Sequence, residues 1–306
     1  MTGWFGARRA AALTLLPVAA LLLATWPTSA EARIVHQERS LYSTILIDQQ
    51  GPLVCLQFSV RRDQRNQSCM NQRRPKEMVF VYAQMMMASL LLNPEPKRIL
   101  ILGLGGGTLP MALDELLPEA RIDVVEIDPA VIRVAREFFA FAPSPRVDVY
   151  AQDGRVFVKR AAQRGETYDL IMLDAFNGEY IPEHLMTREF LEEVRSLLGE
   201  GSVLAANTFS ISDLYEAESA TYAAVFGEFF NMRPNDSGNR IILDRPGELP
   251  DAATLAERAG VLDPKLKPFG VRLEQFLPLM TTEVDWNPGA QVLTDQYAPA
   301  NLMRNN

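Results

Sequence analysis

The chain has 306 residues, of which 48% are hydrophobic and 22% charged, and its net charge is -8. That balance describes a folded chain of one large domain, or one domain with an appendage, and excludes a disordered one. No basic cluster is large enough for a nucleic-acid surface, since "RRDQRNQ" and "QRRPK" are short. An acidic surface is compatible with a cationic substrate.

Residues 1–32 carry the three-part pattern of a secretory signal. Arg8 and Arg9 form the positive region, Ala10 to Ala24 the apolar stretch, and small residues at Thr28, Ala30 and Ala32 a cleavage site after Ala30 or Ala32. The apolar run is short for a membrane span, so cleavage is favoured over an uncleaved anchor. In either case the body of the chain is expected outside the cytoplasm, periplasmic or extracytoplasmic. A true start near Val35 would leave it cytoplasmic. The organisation that follows is a β-hairpin domain over 33–80, a nucleotide-binding domain over 81–245 and a tail with short helices over 246–306.

"SLYSTILIDQQGPLVCLQFS" alternates apolar and polar residues around the turn "QQGP" and reads as a hairpin or meander. "VRRDQRNQS" reads as a polar connection, and "KEMVFVYAQMMMASLLL" as one helix ended by "NPEPK". Met85 to Met87 are expected as core or interface filler. Cys55 and Cys69 could bridge two hairpin strands in an oxidising compartment, or stand as buried free thiols. With His36 and His184 they give no metal-ligand spacing, so no metal is expected.

From Arg98 short apolar strands alternate with amphipathic helices, which predicts a doubly wound, mostly parallel sheet. Strands are expected at Arg98–Leu102, Ile122–Glu126, Val147–Ala151, Leu170–Leu173, Val203–Asn207, Glu228–Met232 and Ile241–Leu243. Helices are expected at Leu109–Leu117, Ala130–Phe139, Gly154–Gln163, Arg188–Leu198 and Leu214–Phe226. The last two strands, joined by "RPNDSGNR", look like an antiparallel edge hairpin. Weak helical patterns follow at Ala252–Ala259 and Arg272–Leu279.

In such a sheet ligands lie at the carboxyl ends of the strands. Gly103, Gly105, Gly106 and Gly107 follow the first strand, where glycine lets backbone approach a ligand. Glu126 ends the second strand, placed to accept from a ribose diol, and Asp128 lies just beyond it. Asp153 and Gly154 follow the third strand, with Asp153 placed to accept from an adenine amino group; Asp174 follows the fourth. Singly, Asp128 and Asp153 could be helix caps. Together the acids suit an adenosyl sulfonium cation better than a pyrophosphate.

"PEPKRILILGLGGG", "VVEIDPAVI", "DGRVF", "YDLIMLDAF" and "IPEHLMTREFL" resemble the spermidine synthase family, the polyamine aminopropyltransferases, over about Leu41 to Leu243. The resemblance implies a seven-stranded, methyltransferase-type Rossmann-like sheet with a small N-terminal β-domain, and a possible homodimer through that domain. It implies decarboxylated S-adenosylmethionine as co-substrate and a polyamine-type amine as acceptor. Gln67, Gly103, Gly105, Glu126, Asp153, Gly154 and Asp174 carry over as nucleotide-site residues.

The family's loop usually reads G-G-G-D-G-G, and Gly106 stands at its aspartate; Asn177 stands at the second acid of the family's D-S-S-D. Asp174 and Asn177 are the candidate catalytic residues, with Tyr82 retaining part of a Tyr-His-Glu segment and Glu179 and Glu183 as nearby acids. An amide offers neither charge nor a proton-accepting group. Tyr215, Glu218 and Tyr222 could flank an amine or form a packing face. Two further readings stay open: a methyltransferase using S-adenosylmethionine itself, and a non-catalytic exported polyamine- or nucleoside-binding protein.

Overall fold

The computed structural model of the chain describes residues 1–4, 33–58, 66–176, 181–234 and 238–297. Residues 1–31 and 32–306 form two units. The segment read as a signal, after its first four residues, lies outside the described residues, as do Asn177 and Glu179. Among the described residues no helix is long and apolar enough to cross a membrane.

The chain opens with an antiparallel sheet of β1 (Arg33–Arg39), β2 (Thr44–Gln50), β3 (Leu53–Phe58) and β4 (Asn66–Asn71), paired in that order. The "QQGP" turn joins β2 to β3, with Gly51 at φ 58 where a side chain would be strained. Alternation places Ile45, Ile47, Val54, Leu56 and Met70 in one apolar layer. The expected polar connection is shorter than "VRRDQRNQS": Asn66, Gln67 and Ser68 already belong to β4, where Asn66 and Ser68 pair with β3 and Gln67 sits at a register shift between them. Their polarity hid a strand whose partner, β3, supplies the apolar residues.

The larger sheet contains β5 (Arg98–Leu102), β6 (Arg121–Glu126), β7 (Val147–Ala151), β8 (Tyr168–Leu173), β9 (Leu198–Phe209), β10 (Phe230–Met232) and β11 (Asn239–Asp244), in the order β10-β11-β9-β8-β5-β6-β7. Strands β5 to β9 are parallel, while β11 runs antiparallel to both neighbours and makes the expected edge hairpin with β10. The order turns back at β5, between β6 and β8, which creates a crevice at their carboxyl ends.

Helices α3 (Thr108–Leu116) and α4 (Pro129–Phe138) connect the first strands; α5 (Gly154–Gln163), α6 (Arg188–Arg195) and α7 (Tyr215–Phe226) follow β7, β8 and β9. Apolar faces of α5, α6 and α7 join one core with Leu100, Leu204 and Ile242. On the other side α3 packs with Ile99, Ile101 and Val124. Helix α4 is shared: Ile132 and Ala135 face that core, while Val131 and Val134 meet the small sheet. Its hold on both sheets brings β4 beside the glycine loop.

Two expectations need correction. "KEMVFVYAQMMMASLLL" is two short helices, α1 (Val81–Met86) and α2 (Ser89–Leu92). Met87, Ala88, Leu90 and Leu91 bond three residues back, which tightens the chain into a bend, and the N–H of Met78 donates to the Phe269 carbonyl. Met85 to Met87 are fully buried there. The tail forms a full helix, α8 (Ala252–Leu266), despite Gly260 and Pro264. The buried stripe of Leu255, Ala259, Leu262 and Leu266 outweighs those weak helix formers.

Cys55 and Cys69 lie opposite each other on β3 and β4 and form a disulfide. Closing a loop of this size restricts the unfolded chain by about 3 kcal/mol. Replacing both cysteines with serine should lower unfolding free energy by about 2–3 kcal/mol in a denaturant titration. Equal midpoints for variant and parent would deny the bridge a part in stability.

Candidate active site

A cleft enclosing about 1060 Å³, part of it open solvent, lies at the carboxyl ends of β5, β6, β7 and β8. Small-molecule sites of such sheets lie at this place. Gln67, Gly103, Gly105, Glu126, Asp153, Gly154 and Asp174 all line it. Gly107 and Asp128 do not. Asp128 caps α4, its Oδ1 accepting from the Ala130 N–H at 2.9 Å. Gly107 sits at φ 82 before α3, and a Cβ there would lie 2.4 Å from Phe141.

The glycines thus have separate tasks. A Cβ on Gly103, at φ 99, would lie 2.2 Å from the Asp174 carbonyl oxygen. A Cβ on Gly106 would lie 2.7 Å from Ser68 Oγ and 2.8 Å from Phe139 Cδ1, so β4 and α4 fill the space a side chain at 106 would need. Gly105, at φ 53, would bring a Cβ no closer than 3.5 Å to protein, which leaves its backbone open to the cleft. Gly106 and Gly107 serve the packing of protein on protein, while Gly103 both packs against the Asp174 backbone and lines the cleft.

Each acid in the cleft is held differently. Glu126 accepts from the Leu104 N–H at 3.1 Å through Oε2 and the Asp128 N–H at 3.0 Å through Oε1. Loss of solvation still leaves its carboxyl above the ordinary range, against the pull of those bonds. Asp153 caps α5 through the Val156 N–H at 2.9 Å, and its other oxygen lies 2.9 Å from His184 Nε2. The helix-cap and site readings of Asp153 are therefore both physically available.

Asp174 is partly buried at the end of β8. Its Oδ1 accepts from Asn207 Nδ2 at 2.8 Å, and the Tyr82 hydroxyl also bonds its carboxylate. Loss of solvation pushes its pKa up to about 7, opposed by those two donors. Burial, then the Asp174 charge, holds the Tyr82 phenol well above its usual value. Asp174 therefore changes charge near neutrality, as a proton acceptor working there must.

Phe58, Phe80, Tyr82 and Phe176 supply aromatic wall, with Pro182, His184 and Leu185 opposite in a 3-10 turn over Glu183–Leu185. Arg155 secures that turn. It bonds Glu193 and Asp295 bidentately, and its Nη1 reaches the His184 carbonyl at 3.3 Å. Glu183 does not line the cleft. Tyr215 and Glu218 lie away from it: Glu218 pairs with fully buried Arg240 at 2.9 Å, whose guanidinium stacks over Tyr215. The packing reading of these residues holds.

Sequence reasoning missed His184, Arg155 and Asn207. His184 lay within "IPEHL" and Arg155 within "DGRVF", both quoted as motifs without a role for these side chains. Asn207 ended an expected strand and gave no signal of its own.

Residues 79–229 match the spermine/spermidine synthase domain. The chain is 49% identical over 276 residues to a polyamine aminopropyltransferase of Vibrio vulnificus, covering 90% of this chain and 92% of that one. The chain belongs to the polyamine aminopropyltransferase family. Its fold is like that of a probable spermidine synthase from Corynebacterium glutamicum, at 22% identity and a TM-score of 0.61, covering 85% of this chain and 99% of the other. It is also similar to human methyltransferase-like protein 13 in complex with SAH, at 27% identity and a TM-score of 0.54, over 72% and 98% of the two chains.

The glycine assignments are separable by mutation. Gly103→Ala should destabilise the fold by more than about 3 kcal/mol, since backbone must move to clear a carbonyl. Gly105→Ala should cost about 1–2 kcal/mol, from the left-handed conformation alone. Chemical denaturation of both variants checks the order; equal losses would contradict it.

Proposed function

We propose that the chain transfers the aminopropyl group of decarboxylated S-adenosylmethionine to a polyamine-type amine. The observation that carries this reading is Asp174: a partly buried carboxylate with a pKa of about 7, facing an aromatic-walled cleft at the switch point. In the reading, Gln67, Gly103, Gly105, Glu126, Asp153 and Gly154 hold the nucleoside, with Glu126 toward the ribose and Asp153 toward the base. Gly105 lines the cleft and leaves backbone free to approach a nucleoside there.

The chemistry is a direct displacement. The amine nitrogen attacks the methylene carbon beside the sulfonium; the carbon–sulfur bond breaks, its electron pair going to sulfur; methylthioadenosine leaves as a neutral thioether. The amine must reach the carbon uncharged, although its ordinary pKa is roughly 10. Asp174 takes that proton, and a carboxylate titrating near 7 is a stronger base than an exposed one. The aromatic walls exclude water and favour cations through their ring faces. Orientation in the cleft supplies a further part of the rate.

Gly106 favours a second reading, methyl transfer from S-adenosylmethionine. Ser68 and Phe139 occupy the space a side chain at 106 would need, and Gly106 does not line the cleft, so no acid reaches the cleft from that position. Dimerisation through the small sheet, the boundaries at 33–80 and 81–245, and export behind a cleaved 1–32 segment belong to the same proposal. N-terminal sequencing of protein from cell fractions should begin at Glu31 or Arg33, and a cytoplasmic protein starting earlier would contradict export.

Incubation with decarboxylated S-adenosylmethionine and a diamine should yield methylthioadenosine and the aminopropylated amine in equal amounts by mass spectrometry. S-adenosylhomocysteine formed from S-adenosylmethionine would favour the second reading instead. Asp174→Asn should lower the transfer rate at least about 100-fold. It should also reveal the cost of the site. A carboxyl whose folded pKa is raised stabilises the protein below pH 4, and that contribution is lost as pH rises toward about 7. The asparagine variant should therefore match the parent at pH 4 and exceed it by up to about 4 kcal/mol at pH 8.

A further inference from the structure

Asp174 is backed by a chain of amides that does not end at the cleft. Asn207, buried on β9, donates Nδ2 to Asp174 Oδ1 at 2.8 Å. Its own oxygen accepts from Asn239 Nδ2 at 3.0 Å. Asn239 opens β11 beside Phe209 and is not among the residues that line the cleft. Asn207 lines a small apolar cavity behind β8, with Leu102, Leu173 and Phe190.

A primary amide has one accepting end and one donating end. With its oxygen held by Asn239, Asn207 must turn its NH₂ toward Asp174. Rotated by half a turn, it would set an oxygen against a carboxylate. The direction of one amide therefore decides whether the Asp174 charge is supported or opposed, and a residue outside the cleft sets that direction.

Among the described residues, the side chains that act on Asp174 are Tyr82 from α1 and Asn207 from β9. Arg240, next to Asn239 on β11, faces the other way and is engaged by Glu218, Ser219 and Thr208. Glu126 is held by backbone N–H groups at the end of β6. The support for Asp174 is thus built of neutral donors, and the orientation of Asn207 is a large share of it.

We propose that Asn239 is a positioning residue for the transfer reaction: by holding the Asn207 oxygen it aims the Asn207 N–H at Asp174 and so sets the pH above which Asp174 accepts the amine proton. This rests on the assignment of Asp174 as that acceptor. Loss of one hydrogen bond to a charged group is worth about 1.5 kcal/mol, close to one pH unit. The sign is upward, because a donor to the carboxylate lowers its pKa.

Asn239→Leu removes the donor without adding charge. It should move the acid limb of the kcat–pH profile up by about one unit, with the high-pH plateau within about twofold of the parent and KM for the nucleotide unchanged. Asn239→Gln should restore the limb, and Asn239→Ala serves where leucine prevents folding. An unmoved limb, or a rate lowered equally at every pH, overturns the proposal. A separate readout is the carboxyl carbon resonance of Asp174, assigned against Asp174→Asn and titrated in ligand-free protein. If that titration stays in place in Asn239→Leu, the positioning role is wrong. If the titration moves and the rate limb does not, the role of Asp174 as acceptor is wrong.

Discussion

The close approach of Gly103 to the carbonyl of Asp174 is the constraint on which the site depends. Strands β5 and β8 are parallel neighbours at the point where the sheet order turns back. At their ends the chain must leave in different directions, β5 into α3 and β8 into the cleft wall. A side chain on residue 103 would stand 2.2 Å from the Asp174 oxygen. Glycine there lets the two exits pass, and the Asp174 N–H bonds the Leu102 carbonyl at 2.8 Å. Asp174 is consequently fixed by backbone before any side-chain partner acts. Its carboxylate has one well-defined place, into which Tyr82 and Asn207 donate.

The three carboxylates at successive strand ends show how one sheet makes three kinds of acid. Glu126 is tied by two backbone N–H groups, and Asp153 by a helix N-terminus and His184. Asp174 has two neutral side-chain donors and little solvent. Backbone donors pull Glu126 toward the ionised form, although burial still holds its carboxyl above the ordinary range. Few donors with strong desolvation bring the proton affinity toward neutrality, which suits a group that must exchange a proton. The difference arises from what lies behind each strand end, since all three begin as the same functional group in the same cleft. A desolvated carboxylate is also a local liability, and the protein carries it because the surrounding core is extensive.

Much of the architecture was legible because it follows from period and punctuation. Arg98–Leu102, Val147–Ala151 and Gly154–Gln163 are bounded in the structure as the apolar pattern bounds them. The seven-stranded sheet and the convergence of Glu126, Asp153 and Asp174 on one cleft follow from strands ending in acids. What was not legible depended on partners distant in sequence. The polar strand Asn66–Asn71 is a strand because β3 offers it an edge. Helix α8 survives Gly260 and Pro264 because a core receives its stripe. Asn207 reads as one more strand residue until β11 places Asn239 against it. Glycine was the most ambiguous letter: the loop looked like four residues yielding to a ligand, whereas three of them yield to Asp174, Phe139 and Phe141.

That last distinction bears on what position 106 can carry. A missing acid at position 106 could be a simple loss, open to repair by one substitution. The packing argues otherwise, since Ser68 Oγ and Phe139 Cδ1 both lie inside the space a Cβ would need. Ser68 comes from β4, whose register is held by the Cys55–Cys69 link, and Phe139 follows α4, which packs on the small sheet. A side chain at 106 would thus require the Ser68 and Phe139 side chains to shift. The small sheet therefore does more than flank the larger one: Ser68 on β4 fills part of the space beside the glycine loop. Position 106 supplies no acid to the cleft, which leaves Asp174 and its neutral donors as the part of the described site best suited to manage a proton.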